Sequence, residues 1–526
     1  MTSYLLKRIL RSLLSVFIVV GIVMVMIYSM LDRKLIFAQD PSWTRMKSNA
    51  KVVYEMQQWE GFGYVDYVPY TDYLMDLLKS GEITQEKYSE VAKFANKPEQ
   101  DNKAVAEYVS KFTEKYESEG YTVVRLNGKT KGNTKQYHEG GQPRLYAYRD
   151  IPVWTRLWNY VKNLITVDNI HKAEGIPDEE RGITFTWHDP VYGGEKFSPA
   201  VIGNGTTHKY LIYCNDKFPF VHQNLVNISL GKSYSVNLGS DVFDTMTASQ
   251  GSFAKTVVTY PTGLAEESAD NLHSAIYAKG SLENGTAVIK DRYTDDYTNV
   301  STNKEGLSKL GYSFVIGLIS VILSYLLAVP LGILMALKKD KWVDKLGTIY
   351  IVFVIAVPSL AYIFLFKAIG GKMGLPTTFD MENPSWLMYV LPVISLALPS
   401  VAGLMKWLRR YMIDQMNSDY VKFARSGGLS EGEIFRKHVL KNAIIPIVHG
   451  IPASVLGSLV GAIITERVYV VPGAGNLLTQ AINTYDNGVI VGVTLFYTLI
   501  SVTSIILGDI LISLVDPRIS FTTKAR

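Results

Sequence analysis

"DYVKFARSGGLSEGEIFRKHVLKN", Asp419 to Asn442, is a basic, helix-prone stretch broken by one pair of glycines and flanked on both sides by long apolar runs. Gly427-Gly428 stops the first helix, because glycine is costly inside a helix and readily takes a positive φ. A second helix starts at once. Ser430 followed by Glu433 forms a capping box: the hydroxyl accepts from the N3 amide and the carboxylate reaches back to the cap amide. From there Ile434, Phe435, His438, Val439 and Asn442 recur on one face, with Arg436, Lys437 and Lys441 elsewhere. The spacing predicts a short capped helix along a membrane surface. It presents an apolar knob with basic flanks, suited to a groove on another protein or, on spacing alone, to lipid headgroups.

Working outward, the chain has 526 residues, 48% of them apolar, and the apolar content sits at its two ends. A helix needs about 20 mostly apolar residues to cross hydrocarbon. Six segments qualify, near Ile9 to Leu31, Tyr312 to Leu337, Leu346 to Ile369, Leu387 to Trp407, Ala443 to Ile464 and Val489 to Leu514. The first begins with Lys7, Arg8 and Arg11, but its run is long and "YSMLDRKLIF" has no small-x-small cleavage site, so it reads as an uncleaved anchor. Basic residues mark the start of the first span, "KKDKWVDK" between the second and third, the opening stretch between the fourth and fifth, and "DPRISFTTKAR" after the sixth. By the positive-inside rule that face is cytoplasmic. Both termini are then inside a plasma membrane, and residues 32–309 are an extracellular domain inserted between the first two spans. The resulting division is 1–31, 32–309 and 310–526, the last containing the cytoplasmic loop 416–442.

The insertion is long enough for a core of its own. Charged helical sequence precedes the short β-like runs "YTVVRL", "GITFTW" and "HKYLIYCN", which predicts an α+β domain. Within it "VWTRLWNYVKNLI" sets Trp154, Leu157, Val161 and Ile165 at helical spacing, with Arg156 and Lys162 elsewhere. That suits either an interfacial helix or one packed on the domain's own core.

Chemistry is scarce. Gly231-Lys232-Ser233 resembles the end of a phosphate loop, but Val226 stands where the earlier glycine is required. His188, Asp189 and His208 are isolated, and the single Cys214 excludes a disulfide framework within the chain. No motif for nucleophile, base, metal or nucleic-acid binding is visible, so the expectation is a chain without a catalytic site, metal or cofactor of its own. In the fifth span Gly450, Gly457 and Gly461 make a small-residue face that fits pore lining, packing between subunits or packing within one. Glu466 and Arg467 follow it as a candidate structural or gating pair.

The opening stretch, continued as "AIIP", resembles the cytoplasmic EAA loop of ABC-importer permeases, in the variety found in oligopeptide and dipeptide importers. Asp419, Tyr420, Val421, Ala424, Arg425, Gly428, Leu429, Ser430, His438, Asn442, Ala443 and Pro446 carry the match. Lys422-Phe423-Ala424 stands in place of Glu-Ala-Ala. "AVPLGILMALKKDKWVDKL", "VPSL", "TERVYVVPGAGNLLTQAI" and "DPRI" resemble further parts of the same family, and the long insertion is similar to that of oligopeptide permeases from Gram-positive bacteria.

The resemblance implies an α-helical polytopic protein with six transmembrane helices of the type I ABC-importer permease fold. Its partners would be a second homologous permease, two cytoplasmic ATPases that use ATP and Mg, and an extracellular lipid-anchored peptide-binding protein. Ala424, Gly428, Leu429, Ser430, Glu433, Ile434, Phe435 and His438 would couple the chain to an ATPase. Permeases for dipeptides or nickel share much of this core. A membrane-anchored ligand sensor accounts for the insertion but gives no reason for the EAA-like loop.

Overall fold

The computed structural model describes residues 2–515 apart from 31, 47, 93–101, 127–128, 132–133, 137–144, 168–169, 190–196, 215–218, 222–225, 303, 382 and 461. The first apolar run forms one helix, α1 (Thr2–Met30). Its buried stripe of Val16, Val20, Met24 and Ile27 faces the last span, while Ile18, Ile22 and Met26 are exposed.

Between the first and second spans the chain mixes helices with antiparallel sheets. Strands Val65–Pro69, Leu145–Asp150 and Thr122–Arg125 lie side by side in that order. A helix over Lys103–Ser118 drives Phe112 into the core beneath them. A four-stranded sheet includes Gly182–Thr186 and Tyr210–Cys214. The three β-like runs of the sequence thus each hold a strand. Ile165–Val167 pairs with Val226–Ile228.

Helix α2 (Val153–Asn163) ends before Ile165, which begins that strand, so the apolar spacing runs past the helix. Leu157 and Val161 pack towards α1, Leu157 lying 3.5 Å from where a Cβ on Gly21 would stand. Arg156, expected on the polar side, is instead buried with its guanidinium over the rings of Tyr28 (3.6 Å) and Tyr64 (3.7 Å). Burial pushes the Tyr64 phenol up to about 12, so it stays a neutral hydroxyl and accepts from Asn487 Nδ2 at 2.8 Å.

The membrane portion opens with α3 (Lys309–Leu337), whose cap Ser308 accepts from the Gly311 amide at 3.0 Å. The third apolar run is not one straight span. It is two helices, α4 (Trp342–Ala356) and α5 (Ser359–Lys372), bent by 107°. Pro358 lacks an N–H and disfavours helical backbone at Val357, which is extended (ψ 129°), so the helix ends there. Next, α6 (Val390–Met416) packs closely on α3: Ser320 and Ser324 donate across the interface to the carbonyls of Val393 and Ala397, each at 3.2 Å.

A short helix α7 (Asp419–Ser426) and a segmented helix α8 (Glu431–Gly457) follow. The capped helix and the fifth apolar run therefore share one segmented helix, which starts at Glu431 and stops at Gly457, short of Ile464. Pro446 and Pro452 each remove a helical N–H and divide α8 into segments without ending it. A π-helical turn over Phe435–Val439 adds a residue, which keeps Ile434, Val439, Ala443 and Ile447 on one buried stripe. The chain closes with α9 (Ile463–Tyr469), α10 (Gly475–Asn483) and α11 (Asn487–Val515). Among the described residues five helices are long and apolar enough to cross a membrane, or six if α4 and α5 form one broken span. The ending "DPRI" lies outside the described residues.

Candidate functional site

Three places concentrate the polar chemistry of the helical bundle. The first is the elbow between α6 and α8. Gly428 has φ +82° at its apex, a conformation that glycine adopts without a Cβ penalty. Ser430 and Glu433 complete the capping box, and Arg425 bridges the turn to Glu431 with donors at 2.6 and 3.1 Å. Tyr420 donates to Gln415 at 2.5 Å and accepts from Asn442 at 3.0 Å, tying α7 to α8. At the neighbouring turn Arg409 holds Asp344 by two bonds of 2.5 and 2.7 Å, so the start of α4 moves with α6.

The elbow does not present the face that periodicity suggests. Ile434 is 2% exposed and packs with Val439 into the core, with Leu429, Ala424 and Phe435 half-buried against them. His438 is half-buried, while Gly428, Ser430 and Glu433 are exposed. The apolar stripe of α8 is taken by the bundle. The exposed apolar side chain of the elbow is Phe423 on α7, at 76%, flanked by exposed Lys422 and Arg425.

The second place is a cavity of about 220 Å³ between α3, α6, α8 and α9, lined by Ser320, Ser400, Ser454, Ser458 and Thr465 with Glu466 at one end. Glu466 is buried. Its Oε1 accepts from Ser313 Oγ at 2.7 Å and the Ala462 amide at 3.1 Å, and its Oε2 accepts from the Gly475 amide at 2.9 Å. Ser313 in turn accepts from the Ala474 amide at 2.8 Å. A side chain on Gly473 would collide with the carboxyl group, which is why "VPGAGN" carries glycine there. Arg467 points elsewhere. It is exposed, and no ion pair joins it to Glu466, so the two are not a pair: Glu466 is satisfied by a hydroxyl and backbone amides instead.

Two glycines of the small-residue face, Gly450 and Gly457, are among the described residues. Gly457 borders the cavity with nothing within 4 Å of its Cβ position, and Gly450 meets only Ile447 O at 3.4 Å and Tyr325 Oη at 3.9 Å. Gly461 lies outside the described residues. Close helix approach occurs at Gly317, where a Cβ would collide with Ser458, and at Gly508, where it would lie 2.9 Å from His449.

The third place joins the insertion to the bundle. Asp486, fully buried ahead of α11, accepts from Ser233 Oγ (2.7 Å), from the amides of Tyr234, Ser235 and Val236 (2.8, 2.8 and 2.9 Å) and from its own helix at Val489 (3.1 Å). Glycines at 488 and 492 admit the backbone of Leu230 and Lys232 against the first turns of α11. The phosphate-loop look of Gly231-Lys232-Ser233 is accounted for by this clasp, since Ser233 is spent on Asp486.

Residues 328–521 match the model of the binding-protein-dependent transport system inner membrane component. Over its whole length the chain is 37% identical to the oligopeptide transport system permease protein AmiC of Streptococcus pneumoniae, covering 100% of this chain and 99% of that one. The chain belongs to the binding-protein-dependent transport permeases. The dipeptide transport system permease protein DppB of Bacillus subtilis is 28% identical over 213 residues, 40% of this permease and 68% of its own length. A solved methionine ABC transporter in an inward-facing conformation overlaps at TM-score 0.31 with 13% identity, over 39% of this permease and 93% of that chain.

The AmiC similarity extends through the insertion, which the permease-family match at 328–521 does not reach. Two residues central to the permease's geometry, Asp486 and Ser313, escape a reading by motif. Their partners lie 253 and 153 positions away in sequence, and the only local signal is a carboxylate beside glycines at the head of an apolar run.

Proposed function

We propose that this permease forms one half of the pathway of an ATP-driven peptide importer, paired with a second permease in a complex driven by two ATPases, one of which binds at its elbow. The observation that carries the reading is the full-length likeness to AmiC, insertion included. The peptide is the substrate class named for that relative. The basic residues of the loop side, among them Arg409, Arg410, Lys422, Arg425, Arg436 and Lys437, favour a cytoplasmic elbow. The insertion then faces outward, where it receives a lipid-anchored peptide-binding protein.

In this reading α7 seats Phe423 in a groove of the ATPase. Movement there reaches α8 through Tyr420–Asn442 and Arg425–Glu431, and α8 carries it to the serine-lined cavity at Ser454 and Ser458. ATP supplies the differential binding that shifts the bundle between two arrangements. The experiment is labelled-peptide uptake and ATP hydrolysis in proteoliposomes holding the whole complex. Uptake that follows ATP and the binding protein supports an importer. Ligand binding at the insertion without entry of label overturns it.

A further inference from the structure

Helix α2 has two apolar sectors, and only one is used inside the chain. Leu157, Tyr160 and Leu164 pack towards α1 and α11, but Trp154 and Trp158, one turn apart on the neighbouring sector, are 70% and 64% exposed. The patch continues into the following strand pair, where Ile165 and Val167 (63% and 80% exposed) face out beside their cross-strand neighbours Ile228 and Val226 (52% and 55%). Two tryptophans and four β-branched residues side by side in solvent are a large unsatisfied surface.

The position of α2 says what covers it. Arg156 stacks on Tyr28 near the end of α1 and Leu157 reaches Gly21, so α2 lies along the last two turns of that span, a height of about 10 Å. Interfacial helices bury their apolar face about 5–10 Å deep. On these turns of α1 and the one before them, Ile18, Ile22 and Met26 are exposed (49%, 55% and 54%), an apolar flank at the same end of a membrane span. No acidic residue occurs from Val153 to Val167, and the exposed Lys162 borders the patch, where its stem can lie on apolar surface and its ammonium reach headgroups. Tryptophan is favoured at this depth because its ring is amphipathic.

We infer that α2 and the Ile165–Val167/Val226–Ile228 strand pair are embedded in the bilayer surface on the insertion side, with Trp154 and Trp158 as the anchors that set the insertion's height and tilt on the membrane. The occupant of the patch is lipid, not a protein partner. This role is independent of what the permease transports.

The test uses the whole complex in lipid nanodiscs on a Cys214→Ser background. An environment-sensitive fluorophore is attached in turn at W154C, W158C and, on the polar sector, N159C. Lipids carrying a nitroxide near the headgroup should quench the first two several-fold more than the third, their emission should be blue-shifted, and aqueous iodide should show the reverse order. Iodide quenching at 154 and 158 equal to that at 159 would place the patch in water; protection from both quenchers would place it under protein. Either overturns the inference. A second measurement avoids labelling: the W154F/W158F variant in brominated lipid should lose a clear part of the lipid-dependent tryptophan quenching of the unmodified complex, and an unchanged quenching ratio counts against the anchor.

Discussion

The Asn442 amide donates to the Tyr420 hydroxyl at 3.0 Å, bringing the first helix of the elbow onto the second across 22 residues of chain. The same hydroxyl donates to Gln415 at the end of α6, so one phenol joins three helices. Tyr420→Phe keeps the ring and removes only these bonds, and should cost about 1 kcal/mol. Asn442→Ala should cost a similar amount, and the double variant less than the sum, because the residues share one bond. Protease cleavage at the Gly427-Gly428 turn of the detergent-solubilised complex measures this. Strict additivity would show that the contact is not what holds the elbow.

Glu466 makes the glycines of the following loop unequal to those of α8. Gly473→Ala places a methyl group in the space of a buried carboxyl, whereas Gly457→Ala meets open space. The first should destabilise by about 2 kcal/mol or more through displaced, unsatisfied groups, and the second by less than about 0.5 kcal/mol. Glu466→Gln should also lose about 2 kcal/mol, since its NH2 cannot accept from the amides that the second oxygen now serves. Arg467→Gln should melt like the unmodified protein. Equal melting temperatures for Gly473→Ala and Gly457→Ala would refute this account.

Asp486 offers a sharper case, because it serves backbone amides of a segment some 250 residues earlier. Asp486→Asn puts a donating NH2 where a carboxylate oxygen accepted, leaving at least one buried N–H unmet at a cost of about 1–3 kcal/mol. The loss falls on the clasp. Hydrogen exchange should therefore accelerate at Ser233 to Val236 and in the first turn of α11 well before it does so in α3 or α6. Uniform acceleration throughout the chain would mean that Asp486 supports general folding rather than attachment of the insertion.

Much of the architecture is readable from local rules. The capping box, the glycine turn and the apolar runs are set by neighbours in sequence, and all stand in the folded chain. What failed has a common cause. Periodicity locates the apolar stripe Ile434, Phe435, Val439 but cannot say whether a bundle or a partner takes it; here the bundle does. A run of apolar residues counts as a span whether or not Pro358 bends it. The glycine pattern of the fifth span fits pore lining as well as packing, and the choice depends on the opposing helix: Gly457 borders the cavity, while close approaches within the chain fall at Gly317 and Gly508. Neighbouring charges at Glu466 and Arg467 suggest a pair, but adjacent helical residues point in different directions, and the carboxylate finds donors on α3 and at the first residue of α10.

The burial of the α8 stripe reverses the reading of two phenylalanines, since periodicity favours Phe435 as the docking side chain and the folded chain exposes Phe423. Phe423 is 76% exposed and touches no core, so Phe423→Asp should leave melting within about 0.5 kcal/mol of the unmodified protein. Phe435 packs half-buried against Ile434 and Val439, so Phe435→Asp sets a charge beside the core and should cost about 2 kcal/mol or more. If the ATPase grips α7, Phe423→Asp alone combines a stable permease with loss of coupling, lowering binding-protein-stimulated ATP hydrolysis and peptide uptake at least tenfold, equivalent to about 1.4 kcal/mol. Membrane insertion and pairing with the second permease, checked by co-purification, should be unaffected. A stable Phe423→Asp complex that imports peptide at the normal rate would remove Phe423 from the contact and leave the exposed polar edge of the capping box as the place to look.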